Sequence, residues 1–566
     1  MGPAAPAASS AARGARHVLV AVAWPYANGP LHLGHLAGAY LPADIFARYH
    51  RIAGDRVLMV SGSDGHGTPI TVRAEQEGIT PREVVDRFHP EFLRYWDELG
   101  ISFDLFTTTL TENHRDTTQE ILRGLHRNGY LEARTTRQPF DPEAGRFLPD
   151  RYVEGTCPRC GSEGARGDQC DTCGATLDPV DLVAPRSKMT GATPEFRATE
   201  HWFLRLPLLA ERLEAWLASR EGWRPHVINW ALGFVREGLQ DRAITRDIDW
   251  GVPLPDDVML EGGEHKRIYV WFDAVIGYLS AAREWAQRSG DPEAWRAWWE
   301  DPAAESYYFI GKDNVPFHAV FWPAQLMGSG DLNLPTDVPA NQYVTFKGAK
   351  ASKSLGVGTS ILDALGRFTP DQLRYAVAAV LPEQHDVDLT EDDMVRRVND
   401  ELAAAWGNLV NRVLAMTAKG FDGRVPEPGP RDERDEALLA TVDAALVEAA
   451  EAIEHVELRR GLRAALTGAQ EVNAYLNATE PWRTAKVDRE RTATTLWTAI
   501  QAIAGLAVAF APYVPFSSGT ILGWLGLGED PAAIGWRRPE VPAGTALGAA
   551  VPLFPRIETV EPGEAS

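Results

Sequence analysis

The chain is poor in cysteine. Its 566 residues hold only four, all between Cys157 and Cys173. That excludes a disulfide framework for a chain of this length and fits a reducing compartment. Surplus positive charge is missing too: 56 Lys and Arg stand against 78 Asp and Glu, a net charge of −22. A general polycation is excluded, so any nucleic-acid contact must use local basic patches and weaken with salt. No apolar run approaches the ~20 residues that span a bilayer. Residues 1–16, MGPAAPAASSAARGAR, lack an amphipathic apolar face. They read as a short disordered extension rather than a transit peptide, and lie outside the fold. Burial is not limiting, with 45% hydrophobic residues, and the length allows about three or four domains.

What is present is organised around Ala23-Trp24-Pro25-Tyr26-Ala27-Asn28-Gly29-Pro30-Leu31-His32-Leu33-Gly34-His35. The apolar segment Val18 to Ala23 before it reads as a buried strand, and the pattern after it turns helical. A strand-to-helix turn offers unpaired backbone N–H groups to an anion. His32 and His35, three apart, share one side of the first helical turn. The plain alternative is a tight turn with two histidines on a helix cap. Far along the chain, Lys350-Ala351-Ser352-Lys353-Ser354, flanked by Lys347 and Gly356, makes a cationic arm or else a solvated charge run. A second strand, Val57–Ser61, runs into Gly62-Ser63-Asp64-Gly65-His66-Gly67. Ligands of open α/β sheets sit beyond the carboxyl ends of strands. Asp64 is therefore placed for a substrate amine, with an Asx turn as the alternative.

The region from about 130 to 260 breaks the βα rhythm as an insertion would. It carries Cys157-Pro158-Arg159-Cys160 and Cys170-Asp171-Thr172-Cys173. Four thiolates at this spacing suit tetrahedral zinc with no open position, hence a structural site; no thioredoxin-like context supports a redox reading. Ile268–Asp273 reads as a strand ending in Trp271, and Tyr307–Ile310 as another. With Trp24, Tyr26, Tyr278 and His318 they bring aromatic groups to one sheet edge, suited to an apolar, polarisable side chain. Thr369–Gln372 is a capping box with Pro370 at the first helical position. From there to about 525 the chain reads as a helical domain. Asp386–Asp393 reads as a solvated acidic surface and 527–566 as a loosely packed end.

The HxGH turn and the lysine loop together resemble the two signatures of class I aminoacyl-tRNA synthetases. The chain from about 17 to 530 is similar to the methionyl-tRNA synthetase family. The likeness rests on Pro25–Gly29 with the HLGH turn, Asp64–Pro69, the four-cysteine knuckle, Thr245-Arg246-Asp247, Tyr269–Ala274, Phe309–Asp313, the lysine loop, Trp406–Arg412 and Glu480-Pro481-Trp482. The resemblance implies a Rossmann-type parallel sheet, an inserted knuckle domain and an all-α bundle. It implies activation of L-methionine with ATP, releasing pyrophosphate, then transfer to the 3′ end of tRNA. On that basis His32, Gly34, His35, Lys350, Ser352, Lys353 and Ser354 bind ATP, and His32, His35, Lys350, Lys353 and Arg246 serve catalysis. Ala23, Trp24, Tyr26, Asp64, Trp271, Val275, Tyr278, Ile310 and His318 form the methionine site. Asn408, Arg412 and Trp482 read the CAU anticodon. Zinc on Cys157, Cys160, Cys170 and Cys173, Mg²⁺ with ATP, a monomer and a cytoplasmic location complete the expectation.

The implied parts are catalytic halves at 17–113 and 263–338, an inserted domain at 114–262 with its knuckle at 157–173, a stem-contact region at 339–404, a helical domain at 405–530 and a tail at 531–566. The sequence departs from the family at Ala351, where Met is common, and at Trp24 and Val275, where Leu and Pro are common. A nucleotidyltransferase or a non-catalytic tRNA-binding paralogue is the alternative. The first is typically short and needs neither a knuckle nor a helical domain. The intact histidines and lysines speak against the second.

Overall fold

The computed structural model describes residues 14–558 apart from 150–151, 168–169, 171, 174–176, 331, 347–348 and 351–358; of 349–350 it describes the backbone alone. A five-stranded parallel sheet forms its centre. The order is Ala340–Asn341, Glu305–Gly311, His17–Val22, Arg56–Ser63, Leu105–Thr108. The central strand is first in sequence, and the run from Val18 to Val22 is wholly buried, as expected for a parallel strand covered on both faces. Early strands extend the sheet to one side of it and late strands to the other. The chain therefore reverses at the carboxyl ends of His17–Val22 and Glu305–Gly311, the crevice where such sheets bind ligands. The amide of Ala23 donates to Phe309 O at 3.0 Å across that junction.

After the turn one continuous helical run leads from Leu33 to Ala53, with a π segment at Leu36–Tyr40. The carbonyl of Gly38 inside that segment accepts from Asn341 Nδ2 at 2.9 Å, so the edge strand satisfies part of the widened turn. Between Leu105–Thr108 and Glu305–Gly311 the chain builds a long hairpin, Leu131–Asp141 with Glu195–Leu204, and a three-stranded sheet beside the cysteines. It returns through Thr245–Asp247, paired with Lys266–Ile268.

Four expectations need correction. The strand expected over Ile268–Asp273 stops at Ile268, and Val270–Ser289 is a helix. A short apolar run reads alike in a buried strand and a buried helix, and here the helix has the length. The acidic run is not simply solvated. Asp386 accepts from Lys312 Nζ at 2.7 Å and from the Tyr343 amide at 2.8 Å, and Val387–Asp388 pairs with strand Val344–Phe346. The C-terminal stretch, as far as Ile557, is fastened down. Phe554 is buried, Pro555 O accepts from Gln372 Nε2 at 2.7 Å, and Ile557 exchanges two hydrogen bonds with Asn399. Few apolar anchors suffice because side chains of fixed helices bond its backbone. Finally, the helix Arg489–Phe510 is long and apolar enough to cross a membrane by composition, but 94% of its apolar window is buried at the centre of the helical bundle.

The bundle and the sheet share one core. A single apolar cluster runs from Val18 and Phe46 to Leu496 and Phe510. Arg374, wholly buried on the helix Pro370–Ala378, sits within it. Its guanidinium donates to Asp44 Oδ2 at 2.6 Å, Leu99 O at 3.1 Å, Pro512 O at 2.9 Å and Tyr513 O at 2.9 Å. One side chain thus ties the first helix of the sheet, a later helix and the bundle together.

Candidate active site

The turn at the crevice is held by its own histidines. His32 caps the helix: its Nδ1 accepts from the Gly34 amide at 3.1 Å, while its amide donates to His35 Nδ1 at 3.2 Å. The rings lie 3.8 Å apart. An amide N–H only donates, so neither Nδ1 carries a proton in the neutral ring, and Nε2–H is the donor each ring offers. The cap reading and the phosphate reading therefore hold together: the cap fixes the tautomer. Leu31 and Leu33 bond Ile361 and Thr359 through their backbones, at 3.1 Å each, and His32 forms a bridge with Ser360. The downstream end of the lysine loop is thereby stitched to the turn. Ser352, Lys353 and Ser354 lie outside the described residues, as does the side chain of Lys350; the backbone of Ala349–Lys350 pairs with Val344–Phe346.

Asp64 ends the neighbouring strand beside Tyr26. Its amide donates to Pro25 O at 2.8 Å, and its carbonyl accepts from Ala27 N at 3.0 Å. The Asx turn is real: Asp64 Oδ1 accepts from the His66 amide at 2.9 Å. Burial, and next the charge of Asp273, push the Asp64 carboxyl well above the usual range. A cavity of about 250 Å³ opens here, lined by Tyr26, His66, Thr68, Arg246, Trp250 and Trp271 among others. It adjoins a larger one of about 860 Å³ between the helix Thr68–Glu77 and the inserted sheets. Arg246 donates to Ala243 O and Thr245 O and lies 4.2 Å from the Tyr269 ring.

The aromatic residues do converge. Tyr26 meets Trp271 edge to face, and Trp24 meets Tyr278 likewise. The Tyr278 hydroxyl is 2.7 Å from His318 Nε2, and His318 Nδ1 is 2.9 Å from Asn314 O. A carbonyl only accepts, so Nδ1 carries the proton and Nε2 accepts from Tyr278. Burial pulls His318 down to about 4, which keeps it neutral. Val275 is buried on the helix near Tyr278, Ala23 packs at the junction, and Ile310 is wholly buried in its strand.

Trp24, a departure from the family pattern, has its space made for it by two glycines. A Cβ on Gly62 would lie 2.3 Å from Trp24 Cζ3, and one on Gly277 would lie 2.7 Å from Cε2. Gly277→Ala should therefore displace the indole and destabilise the fold by an overpacking strain of ~1–3 kcal/mol. Urea unfolding checks this; an unchanged midpoint would mean that the indole has room to move aside. Sequence reading missed Phe317, stacked on Trp271 at 4.2 Å, and the pair His66 and Asp273. Phe317 is one residue from His318 in a run that otherwise reads as core.

The four cysteines come together as the spacing requires. Cys157 and Cys173 sulfurs lie 3.9 Å apart, Cys160 and Cys170 sulfurs 3.7 Å, and all four lie within 4.8 Å of one another. A tetrahedron with Zn–S near 2.3 Å has sulfurs about 3.8 Å apart. In the bundle, Asn408 and Arg412 share one helix face. Arg412 donates to Asn473 Oδ1 at 3.0 Å and lies 5.9 Å from the ring of Trp482, which is 41% exposed.

The profile of tRNA synthetases class I (M) matches residues 18–414, and that of the anticodon binding domain of methionyl tRNA ligase matches 425–563. A methionine–tRNA ligase of Dehalococcoides mccartyi is 51% identical over 541 residues, covering 96% of this chain and 97% of that protein. One from Corynebacterium jeikeium is 47% identical over 599 residues, with 96% and 97% covered. Among solved structures, Mycobacterium tuberculosis methionyl-tRNA synthetase in complex with methionyl-adenylate superposes with a TM-score of 0.78 at 28% identity, covering 96% of this chain and 100% of that one.

Proposed function

The chain belongs to the class I methionyl-tRNA synthetases, ligases that join methionine to tRNA at the expense of ATP, and on that premise we propose how its residues divide the work. The observation that carries the proposal is the reciprocal capping of His32 and His35 at the sheet's reversal point, stitched to the end of the lysine loop.

In the first step a methionine carboxylate oxygen attacks the α-phosphorus of ATP. The bond to the β-phosphate bridging oxygen breaks, and pyrophosphate leaves. Two anions must approach, so catalysis is chiefly positioning and neutralisation. The Nε2–H groups of His32 and His35, with the amides around Gly34, hold phosphate oxygens. Lys350 and Lys353, with Ser352 and Ser354, cover the leaving pyrophosphate; lysines suit a charge that departs. Mg²⁺ bound with the ATP phosphates would supply further neutralisation beside the His32, His35 and lysine contacts. Asp64 and Tyr26 take the substrate amine. Trp24, Trp271, Val275, Tyr278 and His318, backed by Ala23 and Ile310, enclose the thioether, and Arg246 borders the cavity. In the second step the terminal tRNA hydroxyl attacks the activated carbonyl, and AMP leaves.

The catalytic halves at 17–113 and 263–338 hold most of this chemistry, joined by Arg246 from the insertion at 114–262 and by the lysine loop of the stem-contact region at 339–404; the bundle at 405–530 reads the anticodon. One chain supplies every site, which supports a monomer as the working unit, and cysteines confined to one metal-ligating cluster suit a cytoplasmic setting. Asn408, Arg412 and Trp482 contact the CAU anticodon, whose unpaired bases suit an exposed aromatic flanked by hydrogen-bonding groups. Trp482→Ala should raise the KM for tRNA about 5- to 100-fold while methionine-dependent pyrophosphate exchange stays at its wild-type rate. Loss of exchange instead would refute a role confined to the tRNA.

The sulfur spacing fits one structural zinc. Elemental analysis should find about one zinc per chain, and Cys170→Ser should lower that content and unfold the knuckle locally while the sheet persists. Metal-free protein with an intact knuckle would end the assignment.

A further inference from the structure

Two buried carboxylates, not one, flank the amine site. Asp64 and Asp273 come from distant segments, Asp273 from the first turn of the helix Val270–Ser289. His66 joins them: its amide donates to Asp64 Oδ1 at 2.9 Å, and its Nδ1 lies 2.8 Å from Asp273 Oδ2. The other oxygen of Asp273, Oδ1, is buried and without a hydrogen-bond partner among the described residues. Among the described residues no lysine or arginine pairs with Asp273; His66 is its one ion-pair partner. His114, its Nδ1 2.9 Å from Ser280 Oγ, is pulled down to about 3 by burial and stays neutral; Trp250 closes the far side of His66. Burial pushes the Asp273 carboxyl up, as it does that of Asp64, and a buried carboxylate with an idle lone pair is costly unless a cation answers it. His66 lines the cavity and neither Asp64 nor Asp273 does, so Asp273 reaches a substrate there only through His66 and through its charge.

We propose that Asp273, seated through His66, is a positioning residue for the amino end of methionine: with Asp64 it makes a two-carboxylate field that demands an ammonium and turns the substrate carboxylate away, toward the phosphates. This rests on the reading of Asp64 as the amine site. The field aims the carboxylate nucleophile from the amine side, opposite in charge to Arg246 on the cavity wall. It also makes the pocket refuse acids that carry the thioether but no amino group.

The test is equilibrium binding of two probes to the full-length zinc-loaded protein. Methioninol keeps the ammonium and lacks the carboxylate; 4-(methylthio)butanoate keeps the carboxylate and lacks the amine. Asp273→Asn should weaken methioninol about tenfold or more and leave the butanoate unchanged or tighter. His66→Asn, whose amide nitrogen stands where the ring's Nδ1 stood, should keep the discrimination, and His66→Ala should lose it. That pair decides the matter should Asp273→Asn fail to fold. Equal weakening of both probes would mean a purely structural role and overturn the proposal, as would no change in either. Asp64→Asn separates the premise: if it leaves methioninol binding intact, the amine site itself is misassigned; if it weakens methioninol while Asp273→Asn does not, Asp273 alone is.

Discussion

His35→Ala should lower the rate of methionine-dependent pyrophosphate exchange by about two to three orders of magnitude, the usual cost of removing one preorganised donor from a transition state. Two losses combine. The Nε2–H donor to phosphate disappears. So does the acceptor of the His32 amide, which removes one half of the reciprocal cap that holds the turn and loosens the residue whose ring accepts from Gly34. The ring of His32 should then sample other rotamers, so the effect should exceed that of simple deletion and should be non-additive with His32→Ala. Binding of methionine, which this reading gives to the other side of the turn, should change little. Exchange assays at saturating methionine, with a separate measurement of methionine affinity, decide it. Equal falls in exchange and in affinity would show that the turn had collapsed rather than lost its chemistry.

Arg374→Met should destabilise the protein by about 3–5 kcal/mol, because it strands the wholly buried Asp44 without its closest charge partner. Burial works to raise the Asp44 carboxyl, yet Arg48 and then Arg374 hold it well below the usual carboxylate range, so the ion is real. Three carbonyls, of Leu99, Pro512 and Tyr513, lose a donor in the same change. Urea unfolding followed by tryptophan fluorescence gives the midpoint. The double change Arg374→Met with Asp44→Leu should recover a large part of the loss, since an apolar pair replaces a buried ionic one. A single change that left the midpoint in place would mean that water already reaches the pair.

What the sequence made legible is what its local rules govern. The cysteine knuckle follows from two short CxxC turns, and the sulfurs meet at the distances those turns dictate. The strand–turn–helix around His32 and His35 follows from an apolar run breaking into a helical period. The capping box at Thr369 is formed as the residues indicate. The family resemblance carried the pocket further than composition could, bringing Trp271, Tyr278 and His318 to one place. What stayed hidden depends on partners distant in sequence. No local signal joins His66 to Asp273 or Arg374 to Asp44, because each pair meets only when the sheet and its helices close. The end of Lys266–Ile268 and the start of the next helix were misread because burial on all sides erases periodicity. The fastening of the C-terminal stretch was missed because it uses backbone groups, which sequence does not display.

Trp24 has a consequence for how this pocket changes between relatives. Its indole occupies the room left by Gly62 on one strand and Gly277 on a distant helix. Positions 24 and 277 are therefore epistatic: a tryptophan at 24 is admissible only where Gly277 stands, and Gly277 is replaceable only after the tryptophan has gone. Gly62 is held in either case, since a Cβ there would also lie 2.5 Å from Thr107 O. A chemist designing a ligand against this pocket faces the same constraint in reverse, since its floor is set by what two glycines leave out.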